Sequence, residues 1–263
     1  MKILFIGDIF GRPGRETVKK VLPKIKKEHS PDFVIANIEN ASHGNGYSPE
    51  IISEMQKAGV NFFTTGDHAF GNAEGTAKLS DKKFPVIRPA NYPPTVPGRG
   101  YEIVEGPLMT KILIINLMGR VFIKHQFDCP FRALDKILEE TRHENPSIII
   151  VDFHAEATSE KYALGFYADG RVSAVLGTHT HVPTRDLHIL DGGTAYISDV
   201  GFVGPVNSVI GVKKEIILKN FLTQMPAKFE PETEGKMVFN AVLLELDEKS
   251  KKALNAEHIQ EFV

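Results

Sequence analysis

Tryptophan is absent from this 263-residue chain, and cysteine occurs once, as Cys129. A lone thiol excludes an intrachain disulfide and a cysteine-rich zinc site, and it fits a reducing, cytoplasmic setting. No run approaches the roughly 18 apolar residues of a membrane span. The opening MKILFIGDIFG is broken by Gly7-Asp8 too early to read as a signal peptide. Surplus positive charge is missing as well. Lys+Arg number 31 against 33 Asp+Glu, a net charge of −2, so the chain is not expected to coat long nucleic acid by bulk charge. Internal repeats and low-complexity tracts are lacking too. What is present, 42% hydrophobic and 24% charged residues, describes a globular fold with a sizeable core. The length suits a single domain over residues 1–263.

Short β-rich runs alternate with amphipathic stretches. The spacing predicts strands over 2–7, 33–38, 61–65, 111–117, 147–153, 173–176 and 194–197. It predicts helices over 13–29, 49–58, 131–142, 159–167 and 213–222. Residues 71–100, rich in Gly, Pro and Asn, read as a long irregular excursion. Residues 236–246 alternate like an exposed edge strand, part of a strand pair appended near the end. Strand–helix alternation over most of the length predicts an α/β fold with sheets covered by helices.

The informative residues stand where the strands stop. The first run leads into Asp8, the second into Glu39-Asn40 and the third into Asp67-His68. The 147–153 run leads into His154, and the 173–176 run into His179-Thr180-His181. Any one of these has an ordinary explanation as a helix cap, a turn former or a surface imidazole. Together they repeat one pattern, and in open α/β sheets the carboxyl ends of strands line the ligand crevice. Carboxylate, amide oxygen and imidazole make a donor set for manganese, iron or zinc. His179 and His181 are two residues apart, and on extended backbone they would face the same side. Seven candidate ligands (Asp8, Glu39, Asn40, Asp67, His154, His179 and His181) exceed the needs of one four-coordinate ion. Two ions roughly 3.5–4 Å apart would use them all.

The ordered motifs Gly7-Asp8, Glu39-Asn40, Gly66-Asp67-His68, His154 and Gly177-Thr178-His179-Thr180-His181 resemble the calcineurin-like metallophosphoesterases. The segments FIGDIFGRPGR (5–15), IENASHGNG (38–46), RPANYP (88–93), VDFHAEATSEK (151–161), GTHTHVPT (177–184) and SDVGFVGP (198–205) resemble the bacterial YmdB branch. The resemblance implies two packed β-sheets flanked by helices. It also implies two di- or trivalent metal ions per chain, iron or manganese, with zinc as the alternative. The substrate it implies is a small phosphodiester, a cyclic nucleotide with 2′,3′-cyclic AMP foremost, and it implies a homo-oligomer as well. By the same resemblance Asp8 and His181 hold one ion, Glu39 bridges, and Asp67, His154 and His179 hold the other. Asn40 serves as a further ligand or substrate contact, and His68 protonates the leaving group as a metal-bridging hydroxide attacks phosphorus. His43, in the 42–46 loop, is a candidate substrate contact.

One position departs from the family pattern, which has Asn where this chain has Asp67. A carboxylate there lowers the formal charge of the loaded site by one unit, which weakens its pull on a phosphate anion. Two readings compete with the cyclic-nucleotide phosphodiesterase. One is a phosphomonoesterase or nuclease using the same centre. The other is a metal-stabilised regulatory protein whose catalysis is weak because of Asp67. Asp152 is a candidate for orienting a ligand histidine. Thr158 reads as the cap of the following helix, and Arg88 and Arg120 as phosphate contacts or ion-pair partners. Cys129 reads as a small core residue.

Overall fold

The computed structural model describes residues 1–263. The first apolar run forms β1 (Lys2–Ile6), followed by the two-residue β2 (Asp8–Ile9) and α1 (Gly11–His29). Helix α1 turns Val18, Val21, Leu22 and Ile25 inward. Next come β3 (Phe33–Asn37) and α2 (Pro49–Ala58). The limits of α2 are written locally. Ser48 Oγ accepts a hydrogen bond from the Ile51 N–H, Pro49 fills the first turn, and Gly59 adopts φ 108° to end the helix. The chain continues through β4 (Phe62–Thr64), α3 (Ala73–Lys78), β5 (Tyr101–Glu105), β6 (Lys111–Met118) and α4 (Pro130–Glu140). It then runs through β7 (Ile148–His154), α5 (Thr158–Ala168), β8 (Ala174–Thr178), β9 (His188–Ile189) and β10 (Ala195–Ile197). β11 (Phe202–Pro205), α6 (Lys214–Thr223), β12 (Met237–Leu246) and β13 (Ala253–Phe262) complete it.

The strands make two mixed sheets. In one, β1, β3 and β4 run parallel, while β12 pairs antiparallel with β1, β11 and β13. In the other, β6, β7, β8 and β10 run parallel and β5 and β9 are antiparallel edges. Side chains alternate across each strand, so β1 sends Ile3 and Phe5 to one face and Leu4 and Ile6 to the other. Ile3, Phe5 and Ile35 meet Ile112, Ile114, Ile150 and Leu176 in the layer between the sheets. Leu4 and Ile6 pack with α1 and α2. Across the second sheet, Leu113, Val151 and Phe153 pack with Leu134 of α4 and Leu164 of α5. Burial on both faces is why the central strands read as continuous apolar runs.

Three sequence expectations are corrected. Residues 237–246 are not an exposed edge: β12 is almost entirely buried, because β13 pairs along its length and takes the edge instead. The 71–100 excursion contains α3, which begins where Asn72 Oδ1 accepts from the Gly75 N–H. Thr158 does not cap α5; Ala157 stands at the cap position, with no side-chain bond there. No helix is long and apolar enough to cross a membrane.

Candidate metal centre

The parallel strands deliver their terminal residues to one place. Asp8 opens β2, separated from the end of β1 by Gly7 alone, Glu39 and Asn40 follow β3, and Asp67 and His68 follow β4. From the second sheet, His154 is the last residue of β7, and His179 follows β8. One ligand atom each from Glu39, Asp67, His154 and His179 lie within 4.8 Å of one another. His154 Nε2 is 3.2 Å from both Glu39 Oε1 and Asp67 Oδ1 and 3.0 Å from His179 Nδ1. Beside this group, His181 Nε2 lies 4.0 Å from Asp8 Oδ1 and 3.2 Å from the Asn40 amide nitrogen. Asn40 also donates to Glu39 Oε1 at 3.2 Å, so Glu39 touches both halves of the cluster.

Each of the three imidazoles is anchored by its outer nitrogen. His154 Nδ1 lies 2.9 Å from Thr178 Oγ1, and that hydroxyl donates to Asp152 Oδ1 at 2.7 Å. His179 Nε2 faces Glu156 Oε2 at 3.2 Å. His181 Nδ1 donates to the Ile210 carbonyl at 3.0 Å, and its ring stacks on Phe202 at 5.2 Å. These acceptors hold a proton on the outer nitrogen and turn the other nitrogen's lone pair inward, as metal-ligating histidines require. Two inward lone pairs 3.0 Å apart, on His154 and His179, repel unless a cation or a proton lies between them.

The electrostatics fit a cation too. Burial pushes the Asp8 carboxyl up to about 6 against the pull of His181 and His154, and its Oδ1 is buried with no hydrogen-bond partner. Burial opposes charge on the His154 ring, but Glu39, Asp67 and Asp8 outweigh it and raise its pKa well above the usual imidazole value. Burial and the neighbouring His154 press His179 down to about 4. For Asp67 burial acts upward, and the bond and charge of His154 overcome it, leaving the carboxyl below its ordinary value. Three carboxylates and three imidazoles crowded together with an orphaned oxygen are the donor chemistry of a divalent or trivalent ion. Gly66 makes the approach possible: a Cβ there would collide with Glu39 Oε2 and the His154 ring.

His68 stands at the rim with 41% of its side chain exposed. Its Nδ1 lies 2.8 Å from Asn40 Oδ1, and its backbone N–H donates to Glu39 Oε2 at 3.1 Å. Asn40 therefore turns its oxygen toward His68 and its nitrogen toward His181 and Glu39.

Sequence reasoning placed His179 and His181 on extended backbone, and the structure does not. Both take left-handed conformations, φ 99° and φ 65°, in a turn after β8. Arg88 is no phosphate contact: it is buried and donates to the carbonyls of Pro89, Pro97 and Gly98. His43 is exposed on its loop, with no hydrogen bond to the cluster. Cys129 is half-buried at the start of α4 rather than in the core. Sequence reasoning overlooked Thr178 and the Ile210 carbonyl, and it gave Glu156 no partner. Thr178 lies inside the Gly177–His181 motif and was detectable there, whereas the Ile210 carbonyl has no sequence signal. A cavity of about 1050 Å³ between β5 and α4 is lined by Tyr101, Arg132 and their neighbours, and by none of the candidate ligands.

Two helix-flanked mixed sheets that present a carboxylate–imidazole cluster at their strand ends define a metallophosphoesterase scaffold. A family model described as YmdB-like protein matches residues 4–259. The 2′,3′-cyclic-nucleotide 2′-phosphodiesterase of Bacillus subtilis (strain 168) is 44% identical over 259 residues, covering 98% of this chain and 96% of that protein. The crystal structure of a hypothetical protein from Thermus thermophilus superposes with a TM-score of 0.92 at 42% identity, covering 100% of this chain and 99% of that one. A crystal structure described as a novel phosphatase, from Mycoplasma pneumoniae, gives 0.93 at 36% identity, covering 100% and 93%. The chain belongs to the YmdB-like family of the calcineurin-like metallophosphoesterases.

Proposed function

We propose that this protein is a metal-dependent phosphodiesterase that opens 2′,3′-cyclic nucleotides, 2′,3′-cyclic AMP foremost, at a two-ion centre. The observation that carries this reading is the set of three imidazoles, each anchored outside and turned inward on Asp8, Glu39 and Asp67. In this reading Asp8 and His181 hold one ion, Glu39 reaches both, and Asp67, His154 and His179 hold the other. When bound, the ions supply Lewis acidity, which polarises a phosphoryl oxygen and brings the pKa of water down to roughly 7.

The remaining work falls to the protein's own groups. The Asn40 amide oxygen accepts the His68 Nδ1 proton and so leaves Nε2 as the reacting nitrogen. Water adds to phosphorus and loses one proton to solvent, the bond from phosphorus to the ribose 2′-oxygen breaks, and protonated His68 gives its Nε2 proton to that oxygen. The product is a 3′-phosphate. Such proton donation is worth typically 10²–10⁴-fold. Phe70, two residues past His68, meets Tyr92 edge-on at 5.1 Å and supplies aromatic surface beside the rim for a base. The activity for which the Bacillus subtilis relative is named supports the substrate class.

The likeness to the Mycoplasma pneumoniae protein, described as a phosphatase, favours a second reading, a phosphomonoesterase. Purified protein, stripped with chelator and reloaded with manganese or iron, is assayed against 2′,3′- and 3′,5′-cyclic nucleotides and p-nitrophenyl phosphate. Conversion of 2′,3′-cyclic AMP to 3′-AMP is expected. Turnover confined to p-nitrophenyl phosphate selects the monoesterase. Loaded protein inert toward the whole panel leaves the metal-stabilised regulatory protein.

A further inference from the structure

The segments 151–161 and 198–205 contain two residues that the mechanism leaves idle: Lys161 and Asp199. Both are buried, with side chains 2% and 1% exposed. Lys161 projects from α5, Asp199 follows β10, and Lys161 Nζ donates to Asp199 Oδ2 at 2.8 Å. Taking two charges out of water carries a desolvation cost that their attraction can fail to repay, so such a pair is weak evidence of stabilisation. Its best-attested use is conformational specificity.

The conformation at stake is the His179-Thr180-His181 turn. Left-handed backbone is sterically unfavourable for a non-glycine residue, and this turn holds two such residues. The buried pair grips it at two points. Asp199 Oδ2 accepts from the Thr180 N–H at 3.0 Å and from Thr180 Oγ1 at 2.8 Å. Lys161 Nζ donates also to the Thr178 carbonyl at 2.9 Å, immediately before His179. Asp199 Oδ1 is itself fixed by the Gly201 N–H at 2.8 Å. On the other side, the His179 N–H donates to Asp8 Oδ2 at 3.3 Å. The clamped residue Thr178 also carries the hydroxyl that anchors His154. None of the pair's hydrogen bonds goes to an imidazole.

We propose that Lys161 and Asp199 are positioning residues: a buried charge pair that holds the strained turn so that His179 and His181 present their inward nitrogens to the metal ions. The proposal rests on reading those histidines as ligands. Substituting residues that orient metal ligands lowers metal affinity by roughly 10–100-fold.

Manganese binding to chelator-stripped protein, measured by calorimetry, tests it, together with the visible spectrum of the cobalt-loaded form. Thr180→Val removes one bond to Asp199 and keeps the side-chain shape; Thr180→Ser keeps the bond. The double variant Lys161→Met/Asp199→Asn removes both charges without stranding either. Thr180→Val and the double variant are expected to bind manganese roughly 10–100-fold more weakly and to shift the cobalt spectrum. Thr180→Ser should match the parent. If the double variant does not fold, the Thr180 pair decides the question. Folded Thr180→Val with the parent's affinity and cobalt spectrum overturns the proposal while the metal reading stands. A parent that takes up no metal overturns the metal reading and the proposal with it.

Discussion

Asn40 Oδ1 lies 2.8 Å from His68 Nδ1. A carbonyl oxygen can only accept, so this contact fixes a proton on Nδ1 and directs the reactivity of the ring to Nε2. The same amide spends its nitrogen on Glu39 and His181. Asn40 thus ties the rim histidine to the buried cluster. His68→Ala should keep its metal and lose roughly 10²–10⁴-fold in turnover of 2′,3′-cyclic AMP. Its loss on bis-p-nitrophenyl phosphate, whose leaving group needs little protonation, should be much smaller. Equal losses on both substrates would remove the general-acid role.

The Asp67 carboxylate adds a negative charge that an amide of the same shape would not. Asp67→Asn should retain metal, raise the phosphodiester rate under matched loading and shift the preferred ion. Steady-state rates with manganese, iron and zinc make the comparison. The charge argument fails if both rate and preference match the parent.

At Gly66 the constraint is steric. A methyl group there meets Glu39 Oε2 and the His154 ring. Gly66→Ala should weaken manganese binding by at least roughly tenfold, an effect of the size seen when a ligand's support is disturbed. Calorimetry on folded, stripped protein reads it directly, and parental affinity would show that the cluster relaxes at no cost.

Metal removal should lower the unfolding temperature. Without a cation the cluster keeps an unpartnered Asp8 oxygen, and a proton has to take the cation's place between His154 and His179. Ligand at 100 times its dissociation constant stabilises by about 2.7 kcal/mol. Thermal unfolding with chelator and with manganese should therefore differ by several degrees, and coincident curves would count against any site here.

Asp186 offers a test of pH dependence away from the cluster. Burial acts upward on its carboxyl, but hydrogen bonds from Ser198 and Thr184 prevail and hold its pKa below the ordinary 3.8. The folded state binds this proton less readily than the unfolded chain, so the stabilisation is complete above the unfolded value. It is lost as pH falls through the folded one. The parent should exceed Asp186→Asn in stability at pH 6, and the gap should close below about pH 4. Urea titrations across that range check it, and a gap independent of pH would place the effect elsewhere.

Much of the fold was legible because its signals are local. Ser48, Pro49 and Gly59 mark the ends of α2, and two-sided burial makes β1, β3, β6 and β7 predominantly apolar. The misreading of the last strands was of long-range origin. Whether residues 237–246 form an edge depends on β13 lying beside them, which their own alternation does not encode.

The candidate ligands could be named from the sequence because each follows an apolar run, and parallel strands carry their ends to the same side of a sheet. Residue type and strand order determined that much. Tertiary structure alone decided which nitrogen of each imidazole turns inward, that Asn40 faces His68, and that a buried pair grips the histidine turn. Those outcomes depend on hydrogen bonds spanning a few ångströms between residues as far apart as Asn40 and His181. Only the packing of the two sheets brings such groups within reach of one another.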